Sequence, residues 1–236
     1  MRRLWSAFAS LTWPVDCPCC GVRVDRVGFC ASCAALVEPR DGPRCEVCDV
    51  DLMVVEPTGR CGRCLTRPPP YERGWGCFDY AGPVGDAIRG AKYAGRLDGL
   101  PVVARCMVER LPEALCADPP EVVVPMALHW RRVDARGFSP PLQLAAAVGR
   151  SLGVPRRSRW LRRVRDTPAQ AGLSDAGRQV NMRGAFSASG RVRGRDLLLV
   201  DDVVTTGATA RAAAKVLQRA GAKRIRLLAA AYVSRD

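Results

Sequence analysis

Residues 197–210 read Leu-Leu-Leu-Val-Asp-Asp-Val-Val-Thr-Thr-Gly-Ala-Thr-Ala, and this order narrows the fold more than any other stretch of the chain. The apolar residues before the acids have the character of a strand buried on both faces, which needs a sheet covered by helices on each side. That strand is expected over Asp196–Val200. Two adjacent carboxylates, Asp201 and Asp202, follow at its carboxyl end. Thr205, Thr206, Gly207, Ala208 and Thr209 then open a helix expected over Thr206–Ala220 and stopped by Gly221. A loop rich in Thr and Gly at a helix N-terminus offers backbone N–H groups and hydroxyls to a phosphate. Gly207 permits the tight turn and a close backbone approach. Carboxylates repel phosphate, but they accept hydrogen bonds from vicinal hydroxyls such as those of ribose. They also stabilise positive charge developing on a ribose ring. A merely capped helix needs one capping residue after the strand; strand, paired acids, TTGAT and helix together ask for more.

The remainder of the C-terminal part alternates in the same way. Glu121–Pro125 is a short β-branched run closed by proline, expected as a buried strand. Pro141–Leu152 has helical periodicity, Trp160–Val164 is expected as the next strand, and Arg224–Val233 as the last. Tyr80–Lys92 is expected as a strand end, a Gly-Pro turn and a helix, and Leu100–Leu115 as a second helix. Residues 165–184 are polar, Gly-containing and Arg-rich, and are expected as a long loop. Alternating strands and helices imply an α/β fold with a mainly parallel sheet. Ligands of such sheets bind beyond the carboxyl ends of the strands, where Pro125 and Asp201-Asp202 both fall.

Eight of the twelve cysteines form four CxxC pairs within residues 17–64. A secreted disulfide framework fits these poorly, because CxxC pairs in a cytosolic chain point to metal or redox chemistry. Zn2+ prefers four thiolates in a closed tetrahedron, and two CxxC pairs supply one such site. Sequential pairing gives Cys17, Cys20, Cys30 and Cys33 as one set and Cys45, Cys48, Cys61 and Cys64 as another. Both are similar to zinc ribbons, and their role is expected to be structural, since so small a module has little core. No βαβ pattern surrounds the pairs, against a redox motif, and the spacing is not the usual one for iron–sulfur clusters. Cys19 is expected to be spare, and Cys77, Cys106 and Cys116 to be packed thiols. Pro68-Pro69-Pro70 marks a stiff linker. Two domains follow: residues 1–70, a helix and double zinc-ribbon module, and residues 71–236.

The formal net charge is +14, unevenly placed. Residues 1–75 carry 10 basic and 9 acidic side chains, whereas residues 131–195 carry 15 arginines against Asp134, Asp166 and Asp175. Only Lys92, Lys215 and Lys223 are lysines, so drift of composition toward arginine accounts for the choice of cation but not for the scarcity of acids. A basic region implies an anionic partner: phosphate, pyrophosphate or nucleic acid. No stretch approaches the roughly 20 apolar residues of a spanning helix. The N-terminus, MRRLWSAFASLTWPVDC, has two arginines and a short apolar run but lacks a small-residue cleavage site. A short docked amphipathic helix and a cytoplasmic location are expected.

The segment 197–210 closely resembles the phosphoribosyl-diphosphate (PRPP) signature of type I phosphoribosyltransferases. That resemblance implies PRPP binding with Mg2+ by Asp201, Asp202, Val203 and Thr205–Thr209, the acids on the ribose hydroxyls and the loop on the 5′-phosphate. Nearly the whole chain is similar to the ComF family, bacterial competence-associated proteins with a cysteine-rich module on a phosphoribosyltransferase-like domain. The segments that carry this are CGRCLTRPPPYERGWGCFDYAGPVGDAIRGAKYAGRLD, ALHWRRVDARGF and TPAQAGLSDAGRQVNMRGAF, with Lys92-Tyr93 inside the first. One departure is Arg136-Gly137-Phe138-Ser139, where the family commonly has Asn after Arg-Gly-Phe. Pro125–His129 falls where the fold places its pyrophosphate loop; His129, the only histidine, is either a diphosphate partner or a surface turn residue. Arg131, Arg132 and Arg136 lie close by and can pair with diphosphate oxygens in bidentate fashion. Residues 165–185 resemble the family's flexible hood, with Gln170, Arg178 and Asn181 at its recurrent polar positions. Two functions are expected from this resemblance. One is single-stranded DNA binding in DNA uptake or processing, alongside DNA-uptake proteins. The other is transfer of the phosphoribosyl group to a nitrogen acceptor.

Overall fold

The computed structural model describes residues 15–53, 57–166 and 182–233. In chain order the elements are β1 (Val15–Asp16), β2 (Arg23–Val24), α1 (Ala31–Ala35), α2 (Gly62–Thr66), β3 (Arg73–Asp79), α3 (Gly82–Ala94), α4 (Gly99–Glu109), α5 (Glu113–Ala117), β4 (Val122–Pro125), α6 (Trp130–Arg136), α7 (Pro140–Leu152), β5 (Leu161–Arg163), β6 (Phe186–Ala188), β7 (Asp196–Val204), α8 (Ala208–Arg219) and β8 (Arg224–Tyr232). The main sheet has the order β3-β8-β7-β4, and every neighbouring pair in it is parallel.

Strand periodicity sorts the apolar side chains onto two faces. Leu197, Leu199 and Leu227 join Ala213, Ala214 and Leu217 of α8 in one cluster. Leu198, Val200, Leu228 and Ala230 join Ile88 of α3, Met107 of α4 and Leu144 of α7 in the other. The central strands are therefore covered on both sides, as their unbroken apolar runs require. The cysteine-rich module lies along the outer edge of β3. Pro39 bridges to Phe78 in antiparallel fashion, and Gly74 N–H donates to the Val47 carbonyl at 2.8 Å. Arg40, 4 % exposed, sits within this junction. Its guanidinium pairs with Asp51 and with Asp79 (3.2 Å) and lies over the Tyr232 ring. This capping covers backbone groups that an open edge would leave available for pairing.

Four expectations change. β7 runs to Val204, so the acid pair lies inside a strand rather than after it, held there by pairing of Asp201 with Ala229 and of Val203 with Ala231. The helix that follows begins at Ala208, because Gly207 stands at φ +72°, outside helical space. The expected helix 100–115 divides into α4 and α5 around Leu111-Pro112, where proline cannot continue the hydrogen-bond ladder. β5 is a strand, but it pairs antiparallel with β6 and not with the main sheet. The expected N-terminal helix lies outside the described residues.

Candidate functional site

The carboxyl ends of β4 and β7 lie side by side, with Pro125 opposite Val200. Asp201 and Asp202 are both buried, at 6 % and 7 % exposure. Asp201 Oδ1 accepts from the Asp202 N–H at 2.9 Å, and Asp202 Oδ1 from the Val203 N–H at 2.7 Å. Lys92, near the end of α3, brings its ammonium 2.9 Å from Asp202 Oδ2. Burial, and next the Asp202 carboxylate, holds the Asp201 carboxyl well above the usual carboxylate range. Burial works against the Lys92 ammonium, but the carboxylates of Asp202 and Asp201 outweigh it and raise its pKa. The pair is thus two acids sharing one near cation, an arrangement that gains from vicinal hydroxyl donors.

The loop beyond the pair has the form a phosphate cradle needs. Gly207 takes a left-handed conformation, and no atom lies within 4 Å of the point where a Cβ would stand. Thr205 is exposed, Thr206 buried and Thr209 half-buried. Arg63, from α2 of the cysteine module, donates from Nη1 to the Thr206 carbonyl at 2.9 Å. Arg211 donates from Nη1 to the Arg67 carbonyl at 2.8 Å, and its Nη2 lies 3.9 Å from Cys64 Sγ. A cavity of about 400 Å3 lies between the loop and the module, lined by residues that include Thr205–Gly207, Arg63 and Arg211. Reading the loop locally could not have found Arg63, because it reaches the loop from 143 positions away.

The β4 turn brings His129 to the same end of the sheet. It is 6 % exposed, so it is not a surface turn residue. Its Nδ1 is buried without a hydrogen-bond partner among the described residues, 3.9 Å from Asp166 Oδ1. Arg131 is exposed and lies over the Trp130 ring, and Arg132 Nε is 3.9 Å from Asp166. Arg136 closes α6. Gln170, Arg178 and Asn181 lie outside the described residues. Arg163, on β5, was given no role from sequence; burial, and next Arg132, lowers its pKa, while Asp166 and Asp201 act to raise it.

The eight CxxC cysteines form two tetrads as paired in sequence order. The four sulfurs of each lie within 4.8 Å of one another. Cys20 and Cys30 sulfurs are 3.7 Å apart, as are those of Cys48 and Cys61. A tetrahedron with Zn–S bonds of about 2.3 Å has edges of about 3.8 Å, so each tetrad could hold a zinc ion. The knuckles are built alike. Cys17 N–H donates to the Val22 carbonyl and Cys45 N–H to the Val50 carbonyl, while Gly21 N–H and Asp49 N–H return to the carbonyls of Cys17 and Cys45. Burial opposes the Cys17 and Cys45 thiolates, but backbone N–H donors outweigh it and bring their pKa values down to about 6 and about 7. Cys19 stays outside the first tetrad, with its thiol 3.6 Å from Asp86. Cys77 is buried and Cys106 half-buried, whereas Cys116 is exposed rather than packed.

A phosphoribosyl transferase domain model matches residues 142–235, which contain the loop, the acid pair and the strands beside them. The DNA utilization protein YhgH of Salmonella typhimurium is 32% identical over 205 residues, covering 85% of this chain and 88% of that protein. The chain belongs to the ComF family. Competence protein F of Haemophilus influenzae is 26% identical over 212 residues, covering 87% and 91%. Among solved structures, a purine phosphoribosyltransferase from Pyrococcus horikoshii superposes with a TM-score of 0.37 at 19% identity, covering 57% of this chain and 83% of that one. This ComF-family chain joins a cysteine-rich module to a phosphoribosyltransferase-like sheet. Among the described residues no helix is long and apolar enough to cross a membrane.

Proposed function

We propose that the chain binds PRPP, or a related ribose 5-phosphate ligand, with Mg2+ at residues 201–209, and that it serves DNA uptake or processing by binding single-stranded DNA. The observation that carries the first half is the buried Asp201-Asp202 pair, placed one strand end away from the open Gly207 turn. Asp201 and Asp202 accept from the ribose hydroxyls, Val203 carries the chain from them toward the loop, and Thr205–Thr209 wrap the 5′-phosphate. His129 Nδ1, buried and unpartnered among the described residues, suits a diphosphate oxygen. Pro125 fixes the turn before it, and Arg131 and Arg136 stand on the helix that follows. Gln170, Arg178 and Asn181 belong to the hood in this reading.

Mg2+ takes hard oxygen donors and keeps several of its own waters. The carboxylate pair fits it as a partner of the substrate's oxygens, with Lys92 already holding Asp202. When bound, the ion offsets charge on the diphosphate. Should the site turn over, the C1–O bond to diphosphate breaks and a C1–N bond to the acceptor forms, and the two carboxylates lower the energy of the oxocarbenium-like ribose between those events. The cysteine tetrads take structural Zn2+. The division at residue 70 separates the metal module from the ligand domain. A cytoplasmic location suits eight cysteines grouped as metal-binding thiolates.

The DNA half draws on the names of the relatives and on the charge of +14. Calorimetry with PRPP and Mg2+ tests the first half. Exchanging Asp201→Asn with Asp202→Asn removes two charged acceptors, each worth about 1.5–3 kcal/mol. The expected result is a loss of affinity of at least about tenfold, and unchanged affinity would remove the site assignment.

A further inference from the structure

We propose that single-stranded DNA lies in a cationic groove on the α8 side of the sheet, apart from the carboxylate pair and meeting the phosphate loop at one end. This rests on the DNA-binding reading above. The groove is a concavity of about 860 Å3 bounded by α8, by residues 67–70 and by residues 182–186. Arg63, Arg67, Arg183, Arg211, Lys215 and Arg219 line it, and among the described residues no carboxylate does. Arg211, Lys215 and Arg219 recur every fourth residue, so they share one helix face about 6 Å apart along the axis. Arg67, Arg183, Lys215 and Arg219 are exposed, and none has an ion-pair partner among the described residues. Elsewhere on the molecule, the exposed Arg195 and the half-buried Arg224 are neutralised by Glu121 and Asp118.

Shape selects the occupant. Sequence reading of duplex DNA puts an α-helix or a two-stranded β-ribbon into the major groove, but the basic face of α8 is recessed between walls that include Pro68–Pro70. A flexible single strand can enter such a recess. Phe186, the only aromatic residue among the described residues that line the groove, is 5 % exposed and offers no stacking platform. Binding is therefore to phosphates, independent of base sequence and steeply dependent on salt. Arg63 and Arg211 also line the cavity at Thr205–Gly207, so the groove leads to the phosphate loop. The segment richest in arginine, residues 131–195, supplies only Arg183 to it.

The test is fluorescence anisotropy of a labelled oligothymidylate against the full, metal-loaded chain at several salt concentrations. Lys215→Glu with Arg219→Glu changes two exposed groove residues that have no part in the PRPP site. Affinity at low salt should fall at least about tenfold. The slope of log affinity against log salt should flatten by about 1.4, because each phosphate of a single strand left without its cation lowers the slope by about 0.7. Arg105→Glu with Arg150→Glu makes the same charge change on α4 and α7, which cover the opposite face, and should leave binding unchanged. PRPP affinity, unchanged in both variants, reports an intact fold. Retained binding in the groove variant, or equal loss in both variants, overturns the groove while leaving DNA binding in place. If the unaltered chain does not bind the oligonucleotide at low salt, the groove and the DNA-binding reading both fall.

Discussion

At the residue scale, the candidate site turns on one lysine between two acids. Lys92 is mostly buried, with 15% of its side chain exposed, and Asp202 is more so at 9%. Lys92→Met would leave the two carboxylates buried with no cation beside them, a change of the kind that costs about 3–5 kcal/mol. The loss should be read in denaturant melts at neutral pH and should shrink at alkaline pH, where Lys92 gives up its charge. The sign follows from the raised Lys92 pKa. Its contribution is complete below the unfolded lysine value of about 10.4 and disappears as pH rises through the higher folded value. Asp201 runs the other way at neutral pH. With its folded pKa raised by burial, its stabilising share is complete only below about 3.9 and is lost as pH climbs through the folded value. Asp201→Asn should therefore melt higher than the parent at pH 7 while binding PRPP more weakly. Unchanged or lower melting would show that the Asp201 charge is already well compensated. The acids and the loop were legible because they adjoin in sequence. Arg63 and Arg163 were not, because their neighbours at the site come from remote stretches, and no local pattern records such a meeting.

At the scale of elements, the second tetrad is joined to the loop 205–209. α2 follows its N-cap Cys61, a member of the tetrad, carries Cys64, and presents Arg63 to the Thr206 carbonyl. Arg211, one turn into α8, reaches back to Arg67 and toward Cys64. With zinc in the second tetrad as proposed, a chelator that strips it would free α2 from its anchor. Hydrogen exchange of residues 204–210 should then accelerate, and PRPP affinity should fall together with zinc content. Arg63→Ala, with both metals in place, should reproduce the exchange change at the loop. An unchanged loop in both experiments would show that it holds its shape alone. Strand and helix identities read from apolar period were sound where the elements are long and central, as in β7, α8 and β8. Period failed where pairing decides the outcome. Nothing in Leu161–Arg163 says that its partner is Phe186–Ala188, since that choice depends on where the intervening residues return the chain.

Across the whole molecule, charge and topology were legible to different degrees. The parallel α/β class followed from strand–helix alternation. Strand order did not, because β3 precedes the others in sequence yet pairs with β8, the last of them. The placing of the metal module along β3 could not be read either, since Arg40 gives no local sign that it will be buried against Asp51, Asp79 and Tyr232. Arg40→Leu removes the cation from Asp51, from Asp79 and from Asp49, which keeps Arg44 at 3.5 Å, and a loss of about 3 kcal/mol is expected. Limited proteolysis should then cut between residues 39 and 73 faster than in the parent. An unaltered digestion pattern would show that the backbone pairing of Pro39 and Gly74 holds the module without it.

The two knuckles share a design, and one position in it differs. Gly21 takes the left-handed turn of the first at φ +76°; Asp49 takes it in the second at φ +60°. A side chain in that conformation is strained by about 1 kcal/mol, yet the Asp49 carboxylate accepts the Gly76 N–H of β3 at 2.7 Å. The second knuckle is therefore a hinge pin as well as the frame of a cysteine tetrad: its turn is strained where it grips the sheet. Asp49→Gly would relax the turn but remove the grip and the carboxylate's contacts with Arg44 (3.5 Å) and Arg40, so the chain should lose stability. Cooperativity should fall with it: in calorimetry the cysteine module and the sheet should melt in separate steps, and a single transition would show that the pin is dispensable.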